Sequence, residues 1–147
     1  MISLRPARST DLPFLYDCLC DLEEMTLNRA AFERIFLENV ADPRVRYLLA
    51  EADNVPVGFL NCHVQGLLHH AGLVGEIQEM YVLPNWRSKG VGQQLVEHLV
   101  TMAQQEGWIN LEVTSNRRRT RTHEFYERMG FATTHVKLVM PMPAPTL

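Results

Sequence analysis

The sequence predicts a single mixed α/β domain, and three observations predict it. Segments of period two and of period 3.6 follow one another in the order β-α-α-β-β-β-α-β-α-β. The 147 residues match the usual length of one domain. Finally, 46% of them are hydrophobic, with eight glycines and eight prolines, enough to close a core without metal or disulfide staples.

Each element has its own warrant. Residues 1–5 read as a short strand, and Thr10 is placed to cap a helix over 11–23 with Leu12, Leu15, Tyr16, Leu19 and Leu22 on one face. Phe32, Ile35, Phe36 and Val40 form the stripe of a second helix over 29–40, ended by Asp42-Pro43. Residues 44–50 and 55–65 predict a hairpin turning at Asp53-Asn54, and 66–72 a loop. A long strand over 75–83 stops at Pro84. The clearest helix covers 90–106, where Val91, Leu95, Leu99 and Met102 line one side and Gly107 ends it. Ile109, Leu111 and Val113 alternate in another strand, a short helix over 120–129 ends at Gly130, and 131–140 predicts a last strand. The domain is expected to span 1–140, with a frayed tail over 141–147.

Composition excludes several classes. A net charge of −3 argues against a nucleic-acid binder. No apolar run approaches the roughly 18 residues of a membrane span, and Arg5, Pro6 and Arg8 follow the start too closely for a secretory leader, so the expected compartment is the cytoplasm. Cys18, Cys20 and Cys62 lack metal-like spacing and read as buried small hydrophobes.

The most informative stretch runs from Met80 to Val96. A strand ends at Pro84, and Arg87-Ser88-Lys89-Gly90-Val91-Gly92 leads directly into the strongest helix. Glycines let the backbone approach a ligand closely, and the first helical turn offers unpaired N–H groups. With the helix dipole, Arg87 and Lys89, those donors make an anion site suited to a diphosphate. A dinucleotide fingerprint would need a third glycine where Leu95 stands, and no Walker loop occurs.

Arg87, Gly90 and Gly92, approached through Val82 and Pro84, resemble motif A of the Gcn5-related N-acetyltransferases (GNAT superfamily). The run Phe125-Tyr126-Glu127-Arg128-Met129-Gly130-Phe131 is similar to a second motif of that family, and the element order matches over most of the chain. The resemblance implies a central, mostly antiparallel sheet with helices on both faces. It also implies acetyl-CoA as co-substrate, with the catalyst moving the acetyl group directly to a primary amine in a ternary complex. The coenzyme would lie along Met80, Tyr81 and Val82 and on Arg87, Ser88, Lys89, Gly90, Val91, Gly92 and Gln93. Asn116 would reach the pantetheine arm, although the family often carries Asn seven residues before its tyrosine, where Arg119 stands here.

Amide formation requires a proton to leave the amine, charge on the carbonyl oxygen to be stabilised, and the thiolate to be protonated. Glu76 and Glu79 share the long strand, and a spacing of three puts them on opposite faces of a regular strand. Glu76 lies eleven residues before Arg87, the offset at which family members place a glutamate base, so the resemblance selects Glu76 with Glu79 in reserve. It likewise implies Tyr126 as the acid, and a backbone N–H near Tyr81 and Val82 as the oxygen's donor.

Arg46 and Tyr47 after Asp42-Pro43, His69-His70, and the run 75–79 resemble the aminoalkylphosphonate branch of the family. Such a substrate needs cationic donors, for which Arg46, His63, His69, His70 and Arg117–Arg119 are candidates. That branch resemblance also implies a divalent metal at His69-His70 as the lesser alternative, but adjacent histidines on a loop are a weak ligand signal and no metal-ligand residues are assigned. A homodimer is expected from the resemblance alone. Two alternatives stand beside this reading: a relative acting on an aminoglycoside, polyamine or protein amine, and a catalytically silent acyl-CoA-binding module.

Overall fold

The computed structural model describes residues 1–144. They form two compact units, Met1–Val113 and a second beginning at Thr114. The first unit is built on a five-stranded sheet in the order β1-β2-β3-β4-β5. Its strands are β1 (Ile2–Pro6), β2 (Val45–Ala52), β3 (Val55–Leu67), β4 (Gly72–Val82) and β5 (Asn110–Val113). The first three pairings are antiparallel and the last, β4 with β5, is parallel. The β2–β3 hairpin turns at Asp53 and Asn54, both at positive φ (50° and 65°), which short polar side chains tolerate. The predicted loop over 66–72 is shorter than expected, because β3 runs on to Leu67 and only a 3-10 turn at Leu68–His70 precedes β4.

Helix α1 (Leu12–Glu23) follows a 3-10 turn at Ser9–Asp11. The corner is held by Asp11 rather than by Thr10: its carboxylate accepts from the Arg8 N–H at 2.7 Å and from Arg5 at 2.8 and 2.9 Å. That guanidinium keeps the Asp11 carboxyl below its ordinary range. Helix α2 (Arg29–Ala41) is capped by Asn28, whose oxygen accepts from the Ala31 N–H at 2.9 Å. Helix α3 (Val91–Glu106) lies between two left-handed glycines, Gly90 at φ 83° and Gly107 at φ 71°.

Directly opposed residues on neighbouring strands present their side chains to the same face. Phe59 opposes Tyr81 and Leu49, and all three join Leu12, Leu15 and Cys18 of α1 and Phe36 of α2 in one buried cluster. Arg46 and Cys62 oppose each other on the other face. There the Arg46 guanidinium donates to Glu106 Oε2 and Oε1 of α3, at 2.6 and 2.8 Å. Leu95, Val96 and Leu99 of α3 are fully buried. Gly75 also faces this side, where the Trp108 ring fills the space a Cβ would need, at 2.4 Å. Helices therefore cover both faces, as expected. Cys18 and Cys62 are buried, whereas Cys20 is only half-buried and its sulfur accepts from the Leu27 N–H. No helix among the described residues is long and apolar enough to cross a membrane.

In the second unit, α4 (Thr120–Arg128) forms as predicted. The strand expected over 131–140 does not form, and residues 131–144 carry no regular structure. Val136, Leu138 and Met140 alternate in sequence but stand 86%, 90% and 78% exposed. Alternation creates a strand only where a neighbouring strand supplies the ladder. The tail expected over 141–147 lies partly outside the described residues.

Candidate active site

The junction between β4 and α3 is built as an anion cradle. After Val82 the chain makes a 3-10 turn at Pro84–Trp86, and Ser88 (φ 62°) and Gly90 (φ 83°) both adopt left-handed conformations. Gly90 is the N-cap of α3 and no side chain caps it, so the N–H groups of Val91, Gly92 and Gln93 are first-turn donors at the positive end of the dipole. A Cβ built on Gly90 would meet nothing within 4 Å, so the space beside the N-cap is open. Arg87 is fixed beside them: its Nε donates to the Val82 carbonyl at 2.9 Å and its guanidinium lies 5.1 Å from the Tyr81 ring centre. Lys89 Nζ sits 5.0 Å from the Trp86 ring centre. Pairing of β4 with β5 ends at Ile77 and Val113. Beyond it Met80, Tyr81 and Val82 keep β3 as their ladder partner, opposite Leu60, Phe59 and Gly58.

The two carboxylates on β4 do not face apart. Asn61 opposes Glu79, Cys62 opposes Ile77 and His63 opposes Glu76, so Gln78 is an extra residue forming a β-bulge. Asn61 and His63 are two apart on β3 and share a face, and their partners Glu79 and Glu76 share it too. The expectation of opposite faces is thereby corrected, because the bulge reverses the strand's parity. The face concerned is the one covered by α1 and α2.

A cavity of about 300 Å³ opens there, walled by Leu15, Phe32, Phe36 and Phe59, with Tyr47, Asn61, His63, Gln78 and Glu79 among its polar lining. Asn61 is buried, and its Nδ2 donates to Glu79 Oε1 at 2.6 Å while its Oδ1 accepts from the Glu79 N–H at 2.7 Å. Burial raises the Glu79 pKa, the Asn61 hydrogen bond and the nearby His63 oppose the rise, and Glu23 of α1 adds to it. Asn39 of α2 donates to the Tyr47 hydroxyl at 3.1 Å. Tyr81, below the cavity, donates its hydroxyl to Asp21 of α1. Asn61 went unread in the sequence, although a lone amide in the apolar run 55–64 was a visible sign.

In the second unit Tyr126 is buried on α4, with the Phe125 and Phe131 rings edge-on at 5.1 and 5.3 Å. Burial pushes its phenol up to about 12. Asn116 serves the turn before α4: its Oδ1 accepts from the Arg118 backbone N–H at 3.0 Å. Of the proposed cationic donors, Arg46 lies on the α3 face and is committed to Glu106. His63 lines the cavity, and His69 and His70 sit together on the turn before β4. Among the described residues no group of three or more side chains could hold a metal ion.

The chain belongs to the acetyltransferase (GNAT) family, whose model matches residues 12–131, and it is an acyltransferase. It is 37% identical over 134 residues to an aminoalkylphosphonate N-acetyltransferase of Salmonella typhimurium, covering 91% of this chain and 87% of that one. Solved structures share the fold. A transcriptional regulator from Bacillus halodurans C-125 superposes with a TM-score of 0.89 at 23% identity, over 97% of this chain and 100% of the other. The aminoglycoside N-acetyltransferase AAC(6')-Iy in complex with CoA gives 0.85 at 18% identity, over 98% and 96%.

Proposed function

We propose that the chain carries an acetyl group from acetyl-CoA directly to the primary amine of a small aminoalkylphosphonate, in a ternary complex. The observation that carries this reading is the uncapped start of α3 behind Arg87, on the same strand–turn–helix unit as Glu76 and Glu79, which share a face and of which Glu79 lines a cavity. The diphosphate is assigned to the N–H groups of residues 88–93, with Arg87 and Lys89 supplying charge. Acetyl-CoA as co-substrate is supported by the family and by the CoA complex of the aminoglycoside enzyme.

Glu76 takes the ammonium proton through a water, the amine attacks the thioester carbonyl, and the oxyanion is met by a strand N–H near Tyr81 and Val82. The C–S bond then breaks, Tyr126 protonates the leaving thiolate, and the second proton shed by the nitrogen as it becomes the amide returns through solvent to the phenolate. A phenol held at about 12 keeps its proton throughout the neutral range. Apolar surroundings raise a thiolate's basicity as well, which favours the transfer. The phosphonate is supported by the Salmonella relative. With Arg46 engaged by Glu106, its donors fall to His63, His69, His70 and Arg117–Arg119. The Glu79 carboxylate at the cavity, with Glu76 on the same face, favours a second acceptor class, a polycationic aminoglycoside, over an uncharged one.

The test is steady-state release of free thiol from acetyl-CoA with a panel of amines. The ratio of kcat/KM between an aminoalkylphosphonate and the alkylamine of equal length should far exceed that for one methylene, which is worth about 1–3 kcal/mol. A ratio near one, or faster rates on aminoglycosides, moves the substrate to another branch. No thiol release with any amine leaves only the acyl-CoA-binding alternative.

A further inference from the structure

The cavity between the sheet and α1–α2 is apolar along most of its wall, yet one polar chain crosses its floor. Asn39 of α2 donates to Tyr47 of β2, Tyr47 lines the cavity beside Asn61 of β3, and Asn61 donates to Glu79 of β4. The last link is doubled, because Asn61 also accepts from the Glu79 backbone N–H at the bulge. An amide 2% exposed that satisfies both ends on one partner fixes that partner's backbone and side chain together. Only Oε1 of the carboxylate is used in this way, and Oε2 has no hydrogen-bond partner among the described residues.

We propose that Asn61 is a positioning residue that holds Glu79 as the binding partner of the acceptor's ammonium group in this cavity. The inference rests on the acetyltransferase reading above and divides the labour of the two carboxylates: Glu79 binds the charged amine, Glu76 receives its proton. A half-buried carboxylate with one free oxygen suits a primary ammonium, a compact cation with three donors. The apolar walls suit the short alkyl chain behind it. An amine so bound is selected by its charge before chemistry begins, so Glu79 acts on amine capture more than on turnover.

The other ionisable groups around Glu79 are few. His63 of β3 lines the same cavity, Glu76 lies on the same face of β4, Tyr47 comes from β2 and Glu23 from α1. From α2 the cavity takes Phe32, Ile35, Phe36 and Asn39. The Asn61 hydrogen bond stabilises the charged carboxylate, so its removal drives the carboxyl pKa further up.

The experiment is bisubstrate kinetics of Asn61→Ser and Glu79→Gln on the full chain, with pH profiles of kcat/KM for the best amine of the panel. Asn61→Ser should raise the amine KM about tenfold, leave the acetyl-CoA dissociation constant unchanged, and move the acidic limb of kcat/KM to higher pH. Glu79→Gln should raise the amine KM at least as much and change the shape of that limb, leaving only the ionisation of the base Glu76. The double variant should be no worse than Glu79→Gln alone, since Asn61 acts through Glu79. A residue that merely supported the fold would lower the melting temperature without moving the limb. Should Asn61→Ser fail to fold, the near-isosteric Glu79→Gln decides: a wild-type amine KM with the acidic limb unchanged overturns the proposal. If the wild-type chain acetylates amines but both variants keep its amine KM and limb, the division of labour falls and the acetyltransferase reading stands. A wild-type chain that acetylates no amine overturns both.

Discussion

Gly90→Val separates the two jobs of the turn before α3. Gly90 sits at φ 83°, a conformation that costs a residue with a Cβ about 1–3 kcal/mol. Nothing lies within 4 Å of the position a Cβ would take, so no steric clash adds to that cost in the free protein. For a chain of this size 1 kcal/mol is worth about 2–4 °C. The melting temperature should therefore fall by about 2–12 °C with the fold retained. In the complex the valine occupies the space assigned to the diphosphate, displacing it from at least one first-turn N–H. A charge-assisted hydrogen bond is worth about 1.5–3 kcal/mol, which corresponds to about 10–150-fold in affinity. Titration calorimetry with acetyl-CoA gives the affinity, and a thermal melt without ligand gives the strain. Gly90→Ala carries the same φ penalty with less bulk, so it should lose similar stability and less affinity. A valine variant that melts early but binds acetyl-CoA like the wild type would refute the diphosphate placement.

Glu76→Gln should lower kcat at every pH where the wild type gains rate with rising pH, with the amine KM little changed; a silent Glu76→Gln beside a dead Glu79→Gln would exchange the two roles. Tyr126→Phe keeps the ring between Phe125 and Phe131 and should cut kcat by about 10²–10⁴-fold at unchanged acetyl-CoA affinity. Because burial holds the Tyr126 phenol up to about 12, the acid form persists below that value, and the wild-type rate should show no alkaline fall from this group short of it. Gly75→Ala would put a methyl group 2.4 Å from the Trp108 ring and 3.0 Å from Cys62 Sγ. That overpacking should cost about 1–3 kcal/mol, read as a lower melting temperature and partly recovered by Trp108→Phe.

Helix α3 was legible in the sequence to within a residue because both of its ends are marked by glycines that must go left-handed. The hairpin at Asp53-Asn54 was legible for the same local reason. What escaped was set by tertiary partners. Nothing in the run 75–80 marks a bulge, since Gln78 is neither glycine nor proline, so the facing of Glu76 relative to Glu79 could not be counted from spacing. Arg46 looked like an anion donor until the fold brought Glu106, sixty residues further on, within 2.6 Å of it. The alternating residues 136, 138 and 140 form no strand for want of a ladder partner, which is a property of the whole chain rather than of the segment.

The extra residue at Gln78 acts on β4 as a frameshift acts on a message. Substituting Gln78 leaves the phase of the strand intact. Deleting it would rotate every upstream residue by half a turn: Gly75 and Ile77 would swing toward α1 and α2, while Glu76 would be driven against the Trp108 indole. A carboxylate in that position would be desolvated, and the face covered by α1 and α2 would lose one of its two carboxylates on β4. Change in length at this one position therefore reverses which groups face the cavity, whereas change of residue type there alters one side chain of its lining.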